Sequence, residues 1–313
     1  MKPMTWPLAA DETVGGQAVM EGVMIRSKDC LAIAVRKPDG QILVQTRTWF
    51  SLLRWQWLKK PFVRGFPVLL ETLVNGISAL NFSAQQALDE DEGELSPMAM
   101  AVTMGSALGF ALLLFVVAPH LFSLGMKYLG LSGGVEALSF HMWDGLFKLL
   151  LFVGYILAIS FVPDIRRVFQ YHGAEHKVIW AFENHVELSP SSVREYSRLH
   201  PRCGTTFLLF VLGVSIVLYT FIVPMLLGWW SPGNGVLRQI YIILMKFGLM
   251  IPISAISYEI IKFAGKYRCN IFCRALSWPG LAMQMLTTHE PDDAQIEVAI
   301  AALNGAIGKE CRA

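Results

Sequence analysis

His172 and His176 stand one helical turn apart, with Glu175 between them, in the run HGAEH at 172–176. Residues four apart share a helix face. Both imidazoles can therefore reach one divalent ion, at the roughly 2.0–2.1 Å that zinc requires. Glu175, three residues from His172, is placed to act as general base on a metal-bound water, the inverse of the HExxH metalloprotease pattern. The surrounding pattern predicts a helix over residues 171–184. Glu183, seven residues past His176, is a further ligand or a partner of one. A catalytic zinc takes three protein ligands and keeps one position open. Candidates for the third are, in order, His200, Glu259 and Cys203. His200 and Cys203 lie in HPRCGTTF at 200–207, with Arg202 between them as another site candidate, and Glu259 lies near the end of an apolar run.

A structural reading competes at each position. His172 and His176 can instead bond headgroups or backbone carbonyls. Glu21 and Arg26 sit in GGQAVMEGVMIR at 15–26, where three glycines imply turns, bulges or close backbone approach; they are either site residues or plain structure. Cys269 and Cys273 are four apart with no second pair to complete a zinc knuckle, so packing is favoured. Lys148 and Lys246 fall inside apolar runs near one end, where snorkelling explains them. His120, His141, His185 and His289 are isolated and receive no chemistry. The chain has no GxxxxGK[ST] phosphate loop, no GxSxG elbow and no Rossmann glycine fingerprint.

The elements that must carry these residues are apolar. Of 313 residues, 54% are hydrophobic and 16% charged, against about 25% charged in soluble domains. The apolar residues form four runs near the ~20 residues that cross a bilayer: 97–119, 143–162, 205–227 and 239–261. The fold class expected is an α-helical multi-pass membrane protein with a small cytoplasmic β-containing N-terminal part and a C-terminal cytoplasmic helix. Lysine and arginine number ten in 1–97, one in 120–142, six in 163–203, one in 228–238 and six in 262–313. Positive charge collects on the cytoplasmic side. Both termini and the 163–203 loop are therefore expected in the cytoplasm, and the cell (inner) membrane is the expected location. Met1 to Gln17 contains two acids and no apolar core of a signal peptide. All five cysteines fall in segments assigned to the reducing side, which argues against structural disulfides. A net charge of +2 gives no reason to expect nucleic acid.

Four regions follow: a cytoplasmic segment 1–60, an interfacial or re-entrant helix with an acidic linker at 61–96, a four-span domain at 97–262 carrying the motif loop 163–204, and a cytoplasmic segment 263–313. In the first, 31–35 and 41–45 read as strands flanking the turn Lys37-Pro-Asp-Gly40. Residues 49–60, rich in tryptophan and cations, suit a membrane-surface helix. Arg64, Pro67, Glu71 and Asn75 interrupt 62–84, which leaves a fifth span open. Residues 268–279 read as turn-rich, 281–286 as a short apolar segment, and 294–307 as a helix with Ile296, Ala299, Ile300 and Leu303 on one packing face.

At GGQAVMEGVMIR (15–26), YHGAEHKVI (171–179), HPRCGTTF (200–207) and TTHEPDDAQIEVAIAAL (287–303), the chain resembles the YqhQ-like family of bacterial membrane proteins. The resemblance implies a metal-dependent enzyme but no particular substrate or reaction. One departure is His289, where the family pattern has arginine.

The function expected is thus a membrane-bound hydrolase with a divalent metal, zinc first, and a substrate such as a lipid headgroup or membrane peptide delivered from the cytoplasmic leaflet. The competing expectation is a non-catalytic component for transport, lipid handling or assembly, with a structural metal or a partner-binding loop. Four spans would form an ion pathway only as a homo-oligomer.

Overall fold

The computed structural model describes residues 14–28, 30–53, 55–87, 97–266 and 271–308. Its N-terminal part is an antiparallel meander of β1 (Val14–Val19), β2 (Gly22–Ser27), β3 (Cys30–Arg36) and β4 (Ile42–Thr48), paired in sequence order. The β3–β4 turn is the expected one: Gly40 takes a φ of 85°, and Lys37 and Gln41 close it at 2.9 Å. Of the readings open for the glycines of 15–26, close approach holds at Gly16 and Gly22, which lie against the backbone of Met24 and Ala34. The stretch forms a complete hairpin, β1–β2, with Glu21 at its tip in the left-handed region, φ 50°.

Period-two alternation gives this sheet two apolar faces. Met24, Leu31, Ile33 and Val35 pack under α1 (Gly65–Ala87) with Trp49 and Ala79. Val23, Ile25, Ala32 and Ala34 pack against α5 (Pro163–Glu183) and α11 (Asp293–Ile307) through Ala174, Val178, Ile296, Ala299 and Leu303. The predicted packing face of the last helix is thus the one that covers the sheet, with Ile300 partly buried beside it. An Asp292/Gln295 capping box opens α11.

Residues 62–84 fall mostly on helix α1. It covers the sheet with Glu71 and Asn75 inside and is not among the helices apolar enough to cross a membrane. Four are: Ala101–Tyr128, Leu138–Ile159, Gly204–Trp229 and Gly235–Ala264. They comprise α2 (Pro97–Leu112) with α3 (Ala118–Tyr128), then α4 (Leu138–Ile159), α7 (Gly204–Trp229), and α8 (Gly235–Gly248) with α9 (Met250–Lys266). The first runs past Pro119, the expected end, through a π-helical turn at Leu113–Val117. There the missing proline N–H frees a carbonyl one turn back. In the last, Pro252 breaks the helix at Leu249, and Tyr219 Oη donates to the Lys246 carbonyl at 3.0 Å beside that break.

Two further expectations are corrected. The Trp-rich stretch 49–60 contains only a short 3₁₀ turn, Gln56–Lys59, because Trp49 is drawn into the sheet core. Residues 271–287 form a single helix, α10 (Ile271–Thr287), that continues through Pro279. A short helix, α6 (Pro190–Arg194), lies between α5 and α7.

Candidate metal centre

Pro163 at the first position and Asp164 in the first turn start α5, eight residues earlier than the sequence suggested. From Tyr171 onward nearly every side chain is buried, since the sheet, α11 and the 288–291 segment enclose the helix. Two glycines permit this enclosure. A Cβ on Gly16 of β1 would lie 2.8 Å from Glu175 Oε1, and one on Gly173 would lie 2.1 Å from the His289 carbonyl oxygen. The first opens room for the carboxyl. The second lets the C-terminal segment lie against α5, where His289 N donates to the Phe169 carbonyl at 2.9 Å.

That segment and the loop before α7 orient the histidines. His172 Nδ1–H donates to the Thr287 carbonyl at 2.8 Å, and His176 Nδ1–H donates to the Arg198 carbonyl at 2.5 Å. Each carbonyl fixes its ring with the Nε2 lone pair available, the arrangement second partners impose on metal-binding imidazoles. His172 Nε2 lies 3.2 Å from Cys203 Sγ, and His176 Nε2 is buried with no hydrogen-bond partner. The ligand atoms of His172, His176 and Cys203 all fall within 4.8 Å of one another. A tetrahedral zinc with two nitrogens and one sulfur needs donor separations of about 3.3–3.6 Å, so small side-chain movements would close the set. Two imidazoles and a thiolate are a soft donor combination suited to zinc rather than magnesium or calcium.

Electrostatics favour the same set. Burial raises the Cys203 thiol, but the adjacent His176 and the Thr205 hydroxyl and amide outweigh it and hold it below the usual thiol range. Burial lowers His176, which keeps it neutral for ligation. Glu175 is outside the three-atom group but near enough to feel His172 and Cys203. Burial, opposed by His172, pushes its carboxyl up to about 8, the range of a group that exchanges protons near neutrality.

Of the three third-ligand candidates, Cys203 is the one whose ligand atom groups with those of His172 and His176. His200 is one step removed, with its imidazole facing Glu183 at 3.7 Å and its backbone bracketed by the Gln284 side-chain amide at 2.8 and 2.7 Å. Glu183 is ion-paired with Arg202, so both hold the loop rather than ligate. Glu259 is excluded by Arg64, whose Nε and Nη2 take its two oxygens at 2.7 and 2.6 Å. Changing Glu259 to glutamine should leave metal content unchanged and loosen the α1–α9 contact, lowering stability by about 1–2 kcal/mol; elemental analysis and thermal unfolding of the variant check both.

Glu21 and Arg26 do not reach the centre. Glu21 pins the hairpin tip to α5 through Arg167, whose Nη2 is 2.7 Å away, and through Tyr171 Oη at 3.2 Å. Arg26 stacks on Trp49 at 4.0 Å. Among the described cysteines, Cys203 and Cys273 are free, but Cys30 is disulfide-bonded, against expectation.

Four residues given no role by the sequence also matter here: Gly16, Gln284, Arg198, and Glu290, which pairs with Lys177 at 2.9 Å. Gly16 and Glu290 lie inside the motifs at 15–26 and 287–303, which marked the stretches but not these positions; Arg198 and Gln284 carried no signal.

Residues 60–309 match the family model described as "Protein of unknown function (DUF1385)". The chain belongs to this family. It is 35% identical over 308 residues to "Uncharacterized protein YqhQ" of Bacillus subtilis (strain 168), covering 93% of this chain and 91% of the relative. No solved structure matches the chain.

Proposed function

We propose that this family member is a membrane-bound, metal-dependent hydrolase whose centre faces the cytoplasm. One observation carries the metal reading: two imidazoles, each tied by Nδ1–H to a backbone carbonyl, bring Nε2 atoms into one buried group with a cysteine of lowered pKa. His172, His176 and Cys203 would hold the ion. Bound there, a divalent metal would supply a Lewis acid that polarises a substrate oxygen and acidifies water. Glu175 would take a proton from the attacking water and return it to the leaving group, aided by its raised pKa. The sheet, α5 and α11 exclude bulk water from behind the site.

The centre lies where α4 ends and α7 begins, at one end of the four apolar spans. The Lys/Arg distribution assigns that end to the cytoplasmic side of the inner membrane. A substrate presented at that surface, a lipid headgroup or a membrane peptide, suits the location. Burial of all three donors also favours a second reading, a closed structural metal in a non-catalytic membrane component.

Elemental mass spectrometry of the detergent-purified protein tests the metal. Near-stoichiometric zinc in the wild type, lost in a His172→Ala/His176→Ala double mutant, is the expected result. No metal in either, even after supplementation, would end the proposal. Glu175→Gln should retain the metal and lose roughly 10²–10⁴-fold in hydrolysis. Coordination by four protein ligands with no open position would select the structural reading.

A further inference from the structure

Five ionisable side chains are buried far from the metal centre: His120 of α3, His141, Asp144 and Lys148 of α4, and Lys246 of α8, each 1–6% exposed. Asp144 and Tyr219 stand 15 residues from the ends of α4 and α7 that meet the centre, roughly 22 Å along a helix. The lysines do not snorkel; both turn inward to the same carboxylate. Lys246 Nζ donates to Asp144 Oδ1 at 2.7 Å, and Lys148 Nζ lies 3.6 Å from Asp144 Oδ2, beyond hydrogen-bond range. The Tyr219 ring of α7 sits 4.4 and 5.5 Å from the two ammoniums.

Two cations thus share one acid, and among the described residues the charged neighbours of Lys148 are Asp144 and Lys246. A second buried ammonium that must share its one acid is costly in a water-poor interior, and ionisable groups within membrane helices mark binding sites or pathways. Two buried imidazoles stand in the same cluster. His120 Nε2 is held by the Gln239 amide at 2.6 Å and His141 Nε2 by the Val135 carbonyl at 2.9 Å. Each leaves its Nδ1 buried without a partner.

We propose that this cluster is a second site, one that binds a small oxyanion of the carboxylate or phosphate type against Lys148. Lys246 is already committed to Asp144, whereas Lys148 has only the longer contact and is the more accessible, 6% against 1% exposed. Together with Asp144, a single negative charge there balances the pair of lysines. The oxyanion is the same chemistry whether it arrives as a free ion or in a lipid headgroup. This site does not depend on the metal reading.

Thermal unfolding of the full chain, at constant ionic strength with chloride replaced by phosphate or acetate, tests it. Near tenfold excess over Kd the wild-type midpoint should rise by roughly 3 °C. Lys148→Met should abolish the rise, whereas Lys148→Arg and a change at the exposed Lys127, Lys127→Met, should keep it. A rise in detergent with phosphate or acetate identifies a free ion. A rise only in nanodiscs containing phosphatidylglycerol, compared with phosphatidylcholine, identifies a headgroup. No rise in wild type with any of these probes, or an equal rise in Lys148→Met, overturns the proposal. Should Lys148→Met not fold, Lys148→Gln takes its place, and a rise equal to that of the wild type overturns the proposal.

Discussion

Replacing Gly173 by alanine is expected to detach the C-terminal segment from α5 and remove the metal centre with it. In an isolated helix the change would help by up to about 1 kcal/mol, since alanine is the better helix former. Here the new Cβ would sit 2.1 Å from the His289 carbonyl oxygen, with Pro291 also close. A backbone atom cannot swing aside as a flexible side chain can, so the 288–291 segment must move. That segment is joined to the Thr287 carbonyl that orients His172, and it carries the Thr288 carbonyl bonded by Arg198 and the Glu290 carboxylate paired with Lys177. Overpacking costs of about 1–3 kcal/mol combine with lost hydrogen bonds of about 1 kcal/mol each, which outweighs the helix gain. Thermal unfolding of Gly173→Ala should show a net loss of about 2–4 kcal/mol, and elemental analysis should show metal reduced several-fold. A variant of wild-type stability would mean that the segment is not held against α5 as described.

The second large effect is predicted at Glu71, far from either site. Its buried carboxylate gathers the segment after β4: Ser51 Oγ donates at 2.8 Å, Leu52 N at 2.6 Å and Leu53 N at 2.9 Å to Oε1, and Trp49 Nε1 donates to Oε2 at 3.3 Å. No ion pair neutralises it among the described residues; backbone and side-chain N–H and O–H groups carry the stabilisation. Glu71→Ala takes the acceptor from four donors at once, of which Leu53 N keeps a second partner in Ser51 Oγ at 3.2 Å. The substitution should cost about 3–5 kcal/mol, near the upper end for a single change. Glu71→Gln keeps an acceptor oxygen and should cost about half as much. Denaturant or thermal unfolding in detergent would separate the two variants. Equal costs would show that charge rather than donor satisfaction decides at this position.

What could be read from the chain was whatever depends on local spacing and composition. The four apolar runs, the Lys37–Gly40 turn, the packing face of the last helix and the pairing of His172 with His176 each follow from a period of 2, 3.6 or about 20 residues. Continuation through Pro119 and Pro279 was not readable, because a proline marks a helix end only when no neighbouring packing carries the helix past it. The inner face of residues 62–84 was misleading for a similar reason. Glu71 and Asn75 look like interruptions of a membrane helix until the chain after β4 supplies their partners.

The site divides along the same line. Sequence alone determined that two imidazoles and a carboxyl share one turn of α5, and that the chain belongs with apolar, membrane-type helices. Tertiary structure decided which third residue joins them, because that depends on where the start of α7 meets the middle of α5, a distance no spacing encodes. Cys203 arrives there, while Arg64 claims Glu259 and Glu183 engages His200. It also decided the fate of Lys148 and Lys246. Asp144 stands four residues before Lys148 on α4, a spacing the sequence carries, but it was invisible as the acid for Lys246 until α4 and α8 were brought side by side.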